Sequence, residues 1–359
     1  MKKYISKKLV KFVSKIFELA GSNNEESYIV ADHLVDSNLV GHDSHGVIRV
    51  PQYMEWFNKG NINLNQKINI VKEQDTFVHI DGNFGYGQSI AMQSFNLGID
   101  KAKQNGLCIL ALKNLGHIGR LGAWSEMAAL KNCVSITFVN TSGFGILMAP
   151  HGGTDRRLSA NPIAIGVPIE NNDYLVLDMA TSIVAEGKVK VARNKKIKLP
   201  EEYLLDGHGN PTNDPEKFYA EPLGSILPFG GHKGFGLAFM VDILSGSLTG
   251  GNSSHPDNQN AHTIINNTLA IIIDIENIVS NQYLQDDVNR LTKWVKDSPK
   301  AKGFNEILVP GEIEKRTKHE RLKEGIPLDD QTILDLKIIA EKVGMKNVEE
   351  EIKSLLNLS

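Results

Sequence analysis

His45, Arg49 and Tyr53 fall at i, i+4 and i+8 within the stretch Asn38 to Lys59, so on a helix they would share one stripe. The chemistry on offer is specific. An imidazole exchanges a proton near neutrality, a guanidinium fork grips a carboxylate, and a phenol hydrogen-bonds to either. Pro51 lacks an N–H and disfavours the α region at Val50, so a kinked first turn capped by Ser44 is expected. The same residue types also pack and snorkel on ordinary amphipathic helices. Spacing alone leaves both readings open.

Four further places carry candidate chemistry. Asn114-Leu-Gly-His-Ile-Gly follows a buried run and opens onto a helix, and its glycines let a ligand approach the backbone near His117. Thr141-Ser-Gly-Phe-Gly reads as a small-residue turn whose amides can meet a cofactor, or as a plain tight turn. Asp178 ends a strand before Met179-Ala-Thr-Ser, which reads as a helix start. Its carboxylate can accept from a ribose hydroxyl or cap that helix. Gly230-Gly-His-Lys, with Lys233 at a helix start, can cradle an anion or simply present a solvated lysine.

Asp43-Ser-His-Gly-Val-Ile-Arg-Val-Pro-Gln-Tyr resembles the signature of the malate/L-lactate dehydrogenase family that lacks a Rossmann fold. That group includes sulfolactate, ureidoglycolate and diketogulonate enzymes and an imino-acid reductase. Further matches recur in order at Asn114-Leu-Gly-His-Ile-Gly, Ser159-Ala-Asn-Pro-Ile-Ala, Val176-Leu-Asp-Met-Ala-Thr-Ser, Gly230-Gly-His-Lys-Gly-Phe-Gly-Leu and Val309-Pro-Gly-Glu, so the likeness runs from about Leu9 to Gly325. It implies hydride transfer between NAD or NADP and a small 2-hydroxy or 2-oxo acid. By position it implies His117 as the proton carrier, a role some members give to His45. Ser44, Arg49 and Tyr53 would hold substrate. Thr141, Asp178, Met179, Ala180, Lys233, Pro310, Gly311 and Glu312 would line the cofactor. A homodimer with the cleft between subunits is implied as well. Two departures, Ser159-Ala before Asn161-Pro and Gly116 and Ile118 beside His117, bear on substrate choice and leave the proton and carboxylate groups intact.

The chain that must position these residues is 359 long, enough for two or three lobes. A net charge of -3 offers no basic excess for nucleic acid. Cys108 and Cys133 lie in apolar runs and read as reduced thiols of a cytoplasmic protein. The charged N-terminus has no apolar stretch after it to make a signal peptide, and the apolar run Leu269 to Ile273 is too short to span a membrane. Apolar spacing predicts helices over Leu9 to Ala20, with Ser6 as cap, and from about Glu25 to Gly41. Further helices are expected over Ser89 to Gln104, around Trp124, Met127 and Leu130, over Ala185 to Asn194, from Leu237 to Leu244, over Asn281 to Lys296, and along a charged tail from Glu312. Strands are expected at Thr76 to Ile80, Leu107 to Leu112, Val134 to Asn140, Ile163 to Pro168, Tyr174 to Leu177, Thr268 to Ile275 and Ile307 to Val309. Gly250 to Ala261 reads as a surface loop.

The alternation of elements and the resemblance together imply an α/β fold, with a non-Rossmann mixed-sheet NAD(P)-binding lobe and a helical lobe from the two chain ends. The expected division is a helical lobe of 1–75 with 312–359, a substrate or connecting lobe of 76–120 with 296–311, and an NAD(P)-binding lobe of 121–295. Gly-x-Gly-x-x-Gly and the P-loop pattern are both missing. Against the dehydrogenase stand three other readings. His42-Asp-Ser-His45 suggests a metal-dependent hydrolase, although His-x-x-His spacing suits one helical face poorly and no His-Glu-x-x-His occurs; no metal is expected. A cyclic imino-acid reductase, or a non-catalytic paralogue, could use the same scaffold.

Overall fold

The apolar spacing near the N-terminus produces two long antiparallel-packed helices. In the computed structural model, which describes residues 1–258 and 263–356, strand β1 (Lys2–Tyr4) leads into α1 (Ser6–Leu19) and α2 (Asn24–Leu39). Ser6 does not cap α1; it is the first helical residue, and Ile5 stands at the cap without a side-chain bond. Asn23 does cap α2, accepting from the Glu26 amide at 2.9 Å. Then come α3 (Val50–Asn58), β2 (Asn69–Gln74), β3 (Phe77–Asp81), α4 (Gly87–Asn105), β4 (Leu107–Leu115), α5 (Gly122–Ala129), β5 (Cys133–Gly143), β6 (Ile163–Ile169) and β7 (Asp173–Met179). They are followed by α6 (Glu186–Asn194), a small sheet of β8 (Leu204–Leu205), β9 (Pro211–Thr212) and β10 (Ser225–Ile226) with α7 (Pro215–Tyr219), and α8 (His232–Val241). The chain ends with β11 (Ile264–Asp274), α9 (Asn281–Lys296), α10 (Glu312–Glu324), β12 (Ile326–Leu328), α11 (Asp330–Lys342) and α12 (Val348–Ser354).

Seven strands form one mixed sheet in the order β2-β3-β4-β11-β5-β6-β7, in which only β3 and β4 are parallel, joined by the crossover helix α4. β11 reaches back more than a hundred residues to lie between β4 and β5. Its pairing explains several differences from the sequence expectations. Thr141 to Gly143 belong to β5 rather than to a turn, because Ile264 to Asn266 hydrogen-bond to them. Met179 ends β7 opposite Ile163 and starts no helix; the next helix begins at Glu186. Residues 307–309 form no strand. β2, exposed along its whole length, pairs at the sheet edge and has no apolar alternation to announce it. Of the loop expected over 250–261, residues 259–261 lie outside the described ones.

The two chain ends fold together. β1 pairs with β12, and one core joins Leu9, Phe17, Leu34 and Trp56 to Ile326 and Leu336. Each such side chain, fully buried, contributes roughly 1.5–3 kcal/mol. Among the described residues no helix is long and apolar enough to cross a membrane.

His33 ties this helical layer to α5 and the loop before it. Its buried ring stacks on Trp124, with centroids 5.0 Å apart, and its Nε2 accepts from the Arg120 amide at 2.9 Å. Burial, and secondarily the Arg120 guanidinium, hold its pKa down at about 3. An unfolded chain protonates histidine near pH 6.5, so below that value the unfolded state takes a proton that the folded state refuses. Stability should therefore fall by about 1.4 kcal/mol per pH unit as pH drops from about 6.5 toward about 3, and be unaffected by this group above that window. Urea denaturation across that range should give a shallower decline for His33→Asn than for the native chain. Parallel declines would refute the assignment.

Candidate active site

The segment carrying the first three candidate residues is not one helix. Residues Asp43–His45 and Val47–Arg49 form two separate 3₁₀ turns, and α3 follows. The break is at Gly46, where a Cβ would lie 2.2 Å from Asn38 Oδ1, the same oxygen that accepts from the Val47 amide at 2.9 Å. Pro51 sits in the first turn of α3, where its missing N–H leaves nothing unsatisfied. Ser44 caps no helix. Arg49 occupies the cap position of α3 without a side-chain bond to the helix amides, while Ser44 Oγ lies 3.0 Å from His45 Nδ1. The folded turns nevertheless gather the three residues. Arg49 is aimed by two bonds, Nε to the Ser44 carbonyl and Nη1 to Gln52 Oε1, both 2.7 Å. Its Nη2 has no bond among the described residues.

His117 arrives from the end of β4. Its ring is buried, its Nδ1 lies 2.6 Å from the Tyr53 hydroxyl, and the His45 ring stacks on it with centroids 5.5 Å apart. Nε2 is left without a hydrogen-bond partner among the described residues. Burial, followed by the charges of Arg49, His45 and His33, holds the His117 pKa well below its ordinary value. Burial and then Arg49 hold His45 down at about 3. Both imidazoles are therefore neutral bases at pH 7. Tyr53 is pushed upward by burial and keeps its proton. A buried imidazole whose Nε2 makes no protein hydrogen bond, beside an oriented guanidinium, can exchange a proton with an anchored carboxylic-acid substrate.

Thr141, Asp178 and Met179, expected to line a cofactor, lie at the same end of the sheet as His117. Thr141 lies near the end of β5, Asp178 and Met179 end β7, and Ala180 leads into a loop that reaches α8, where a Cβ on Gly234 would lie 3.0 Å from the Thr181 carbonyl. Lys233 is exposed in the first turn of α8, behind Gly230 and Gly231, whose positive φ values of 54° and 62° suit glycine. Gly311 abuts β7, where a Cβ would lie 3.2 Å from the Val176 amide. Pro310 thus lies beside the same strand as Asp178. Glu312 is already committed, to Lys296 and to the Val309 amide. Asp178 does cap a helix, though not the expected one: its Oδ2 accepts from Gly122 at the start of α5, 2.8 Å away. Desolvation raises its pKa against that bond. Free acceptors on Asp178, the cation of Lys233 and backbone amides beside two glycines are donor and acceptor types that fit a dinucleotide.

Two residues that sequence reasoning passed over complete the arrangement. Gln88, fully buried at the start of α4, donates to the Tyr53 hydroxyl at 2.7 Å. Asn266 of β11 accepts from the Ile118 amide at 2.9 Å and donates to Thr141 Oγ1 at 3.2 Å, tying the His117 loop to the end of β5. The glycines of Gly85-Tyr-Gly-Gln and the paired amides Asn266-Asn267 in an apolar strand were the available signals. His42 and Asp43, the proposed metal ligands, have other partners: His42 lies 3.3 Å from Glu314, and Asp43 pairs with Arg321 at 2.7 Å. No group of three or more potential metal ligands is found among the described residues.

The family profile described as malate/L-lactate dehydrogenase matches residues 5–337. The chain belongs to that family. Hydroxycarboxylate dehydrogenase B of Escherichia coli K12 is 39% identical over 335 residues, covering 93% of this chain and 92% of that protein. Sulfolactate dehydrogenase from Methanocaldococcus jannaschii superposes with a TM-score of 0.85 at 37% identity, covering 98% of this chain and 99% of that one. The Δ1-piperideine-2-carboxylate reductase from Pseudomonas syringae superposes with a TM-score of 0.82 at 27% identity, covering 95% and 100%. This member of the malate/L-lactate dehydrogenase family is accordingly an oxidoreductase of the dehydrogenase type.

Proposed function

We propose that this protein transfers a hydride between a nicotinamide cofactor and a small 2-hydroxy or 2-oxo acid of the malate or lactate kind. The observation that carries the reading is the buried Tyr53–His117 pair, at 2.6 Å, beside an Arg49 held by two bonds. Arg49 would grip the substrate carboxylate through Nη2 and its remaining Nη1 hydrogen. His117 Nε2 would take the proton from the C2 hydroxyl in oxidation and return it in reduction, with Tyr53 fixing the ring. His45, stacked on that ring, is the second candidate for the proton, and Ser44 would contact substrate beside it. A bound NAD or NADP supplies or accepts the hydride; Thr141, Asp178, Met179, Ala180, Lys233 and the Pro310, Gly311 and Glu312 turn would hold it. The three-part division given above belongs to this reading, with 76–120 and 296–311, the part that carries His117, as the substrate and connecting lobe between the helical and NAD(P)-binding lobes.

A homodimer is part of the proposal. Phe239 and Met240 are each 50% exposed and Leu248 is 65% exposed along α8 and the turns after it, an apolar surface that a second subunit would cover. The buried free thiols Cys108 and Cys133 suit a reducing cytoplasm. The second reading, reduction of a cyclic imino acid, is supported by the likeness to the piperideine carboxylate reductase.

A matrix of 2-oxo acids and cyclic imino acids against NADH and NADPH separates these readings and selects the cofactor. Turnover of a 2-oxo acid supports the first, and turnover confined to cyclic imines supports the second. Arg49→Ala should raise KM for the preferred carboxylate by roughly ten-fold or more, in line with the loss of a charge-assisted bond worth about 1.5–3 kcal/mol. An unchanged KM would remove Arg49 from the site.

A further inference from the structure

Gln88 makes one hydrogen bond and leaves one polar atom unpaired. Its Nε2 donates to the Tyr53 hydroxyl at 2.7 Å, while its Oε1 is buried without a partner. The residue is held there by backbone. Gly87 presses the first turn of α4 against the His117 segment, where a Cβ would come 2.3 Å from the Gly116 carbonyl and 2.5 Å from that of His117. Gly116 in turn donates to the Gly85 carbonyl at 2.9 Å. A polar side chain placed so firmly, with half of its amide idle, is an uncommon expense in a core.

The three groups form a chain whose direction decides where the histidine proton sits. With Gln88 Nε2 donating to Tyr53, the phenol oxygen accepts and its own hydrogen goes to His117 Nδ1. The ring proton is then on Nε2, and the nitrogen facing the substrate side is a donor. With the amide turned over, Oε1 accepts from the phenol, the phenol accepts from Nδ1–H, and Nε2 is bare. Only the second form takes a proton from a hydroxy acid, and the imidazolium that results needs it as well. We infer that Gln88 is a positioning residue whose amide orientation sets which nitrogen of His117 carries the proton. Oε1, unpaired in the first form, becomes the phenol's acceptor in the second.

This inference rests on the reading of His117 as proton carrier, but its first test does not require turnover. The groups facing the ring are Tyr53 and Arg49 from the 3₁₀ and α3 segment, His45 stacked on it, and His33 from α2. None of them changes in the variants below. Gln88→Glu places a carboxylate that can only accept, so Tyr53 must donate to it and His117 must carry its proton on Nδ1. Gln88→Met keeps the volume and imposes no direction. Long-range proton–nitrogen spectra of histidine-labelled enzyme read the tautomer directly. The native protein should show Nε2–H for His117, Gln88→Glu should show Nδ1–H, and Gln88→Met a mixture. In turnover, Gln88→Glu should move the acidic limb of kcat/KM upward by about one pH unit, since a nearby opposite charge favours imidazolium. A native tautomer retained in both folded variants would overturn the inference. Altered tautomers with an unmoved acidic limb would uphold Gln88 as the positioning residue and count against His117 as the proton carrier, so the two failures are distinguishable.

Discussion

Replacing His117 by alanine should lower kcat by about 10²–10⁴, the usual worth of a positioned general acid or base. The size follows from the absence of a substitute at the same point. Nε2 of His117 is held by the Tyr53 bond at Nδ1, and the His45 ring centre stands 5.5 Å away with its own Nδ1 against Ser44. Water that filled the vacated volume would have no fixed orientation. KM for the carboxylate should change little, because Arg49 is aimed by Ser44 and Gln52 and not by the imidazole. The pH dependence has a definite sign. The free enzyme holds His117 neutral well below pH 6.5, so oxidation of the hydroxy acid keeps its base far into the acid range. Reduction needs the protonated ring and should slow as pH rises. His45→Ala, measured beside it on the same 2-oxo acid, decides between the two imidazoles: a large loss there with near-normal turnover in His117→Ala would transfer the role.

The residues with distinctive chemistry were legible in the sequence, and those that orient them were not. His45, Arg49, Tyr53 and His117 stand in short motifs whose residue types announce themselves. Their convergence also follows, since the α/β order sends His117 to a strand end. Gln88 has only the two glycines before it as a sign, because a polar residue near a helix start is ordinary and its partner is 35 positions away. Asn266 was missed for a related reason. Asparagine is a poor strand former, so the strand was expected to open at Thr268, and only pairing with Asn140 to Gly143 extends it backward. The same pairing turned Thr141 from a turn residue into a strand residue. Met179 reads as a helix start because the small residues after it resemble an N-terminal turn, whereas its pairing with Ile163 keeps it in the sheet. In each case a long-range backbone bond overrode a local preference.

Arg120 carries the largest expected effect on stability. Its guanidinium is 1% exposed and donates twice to Glu126, at 2.7 and 2.8 Å, and once to Asp36 at 3.0 Å. Both carboxylates come from helices on either side, α2 and α5, so one cation joins the N-terminal helical layer to the helix that packs on the sheet. Arg120→Met should destabilise the protein by about 3–5 kcal/mol, because it strands the buried Glu126 carboxylate. The pair itself is worth far less than that figure. Arg120→Met combined with Glu126→Leu should recover most of the loss, since well-packed apolar groups often replace a buried ion pair at little cost. Lys318, which pairs with Asp36 at 2.6 Å, would go on neutralising the remaining acid. The site should respond as well. Gly122, two residues along, donates to Asp178, and a Cβ there would lie 2.8 Å from Arg120 Nη1, so the guanidinium buttresses the turn that holds this carboxylate. Chemical denaturation of the single and double variants gives the energies. A single variant within about 1 kcal/mol of native would show that Glu126 finds water or a new partner, and would remove Arg120 as the junction between the layers.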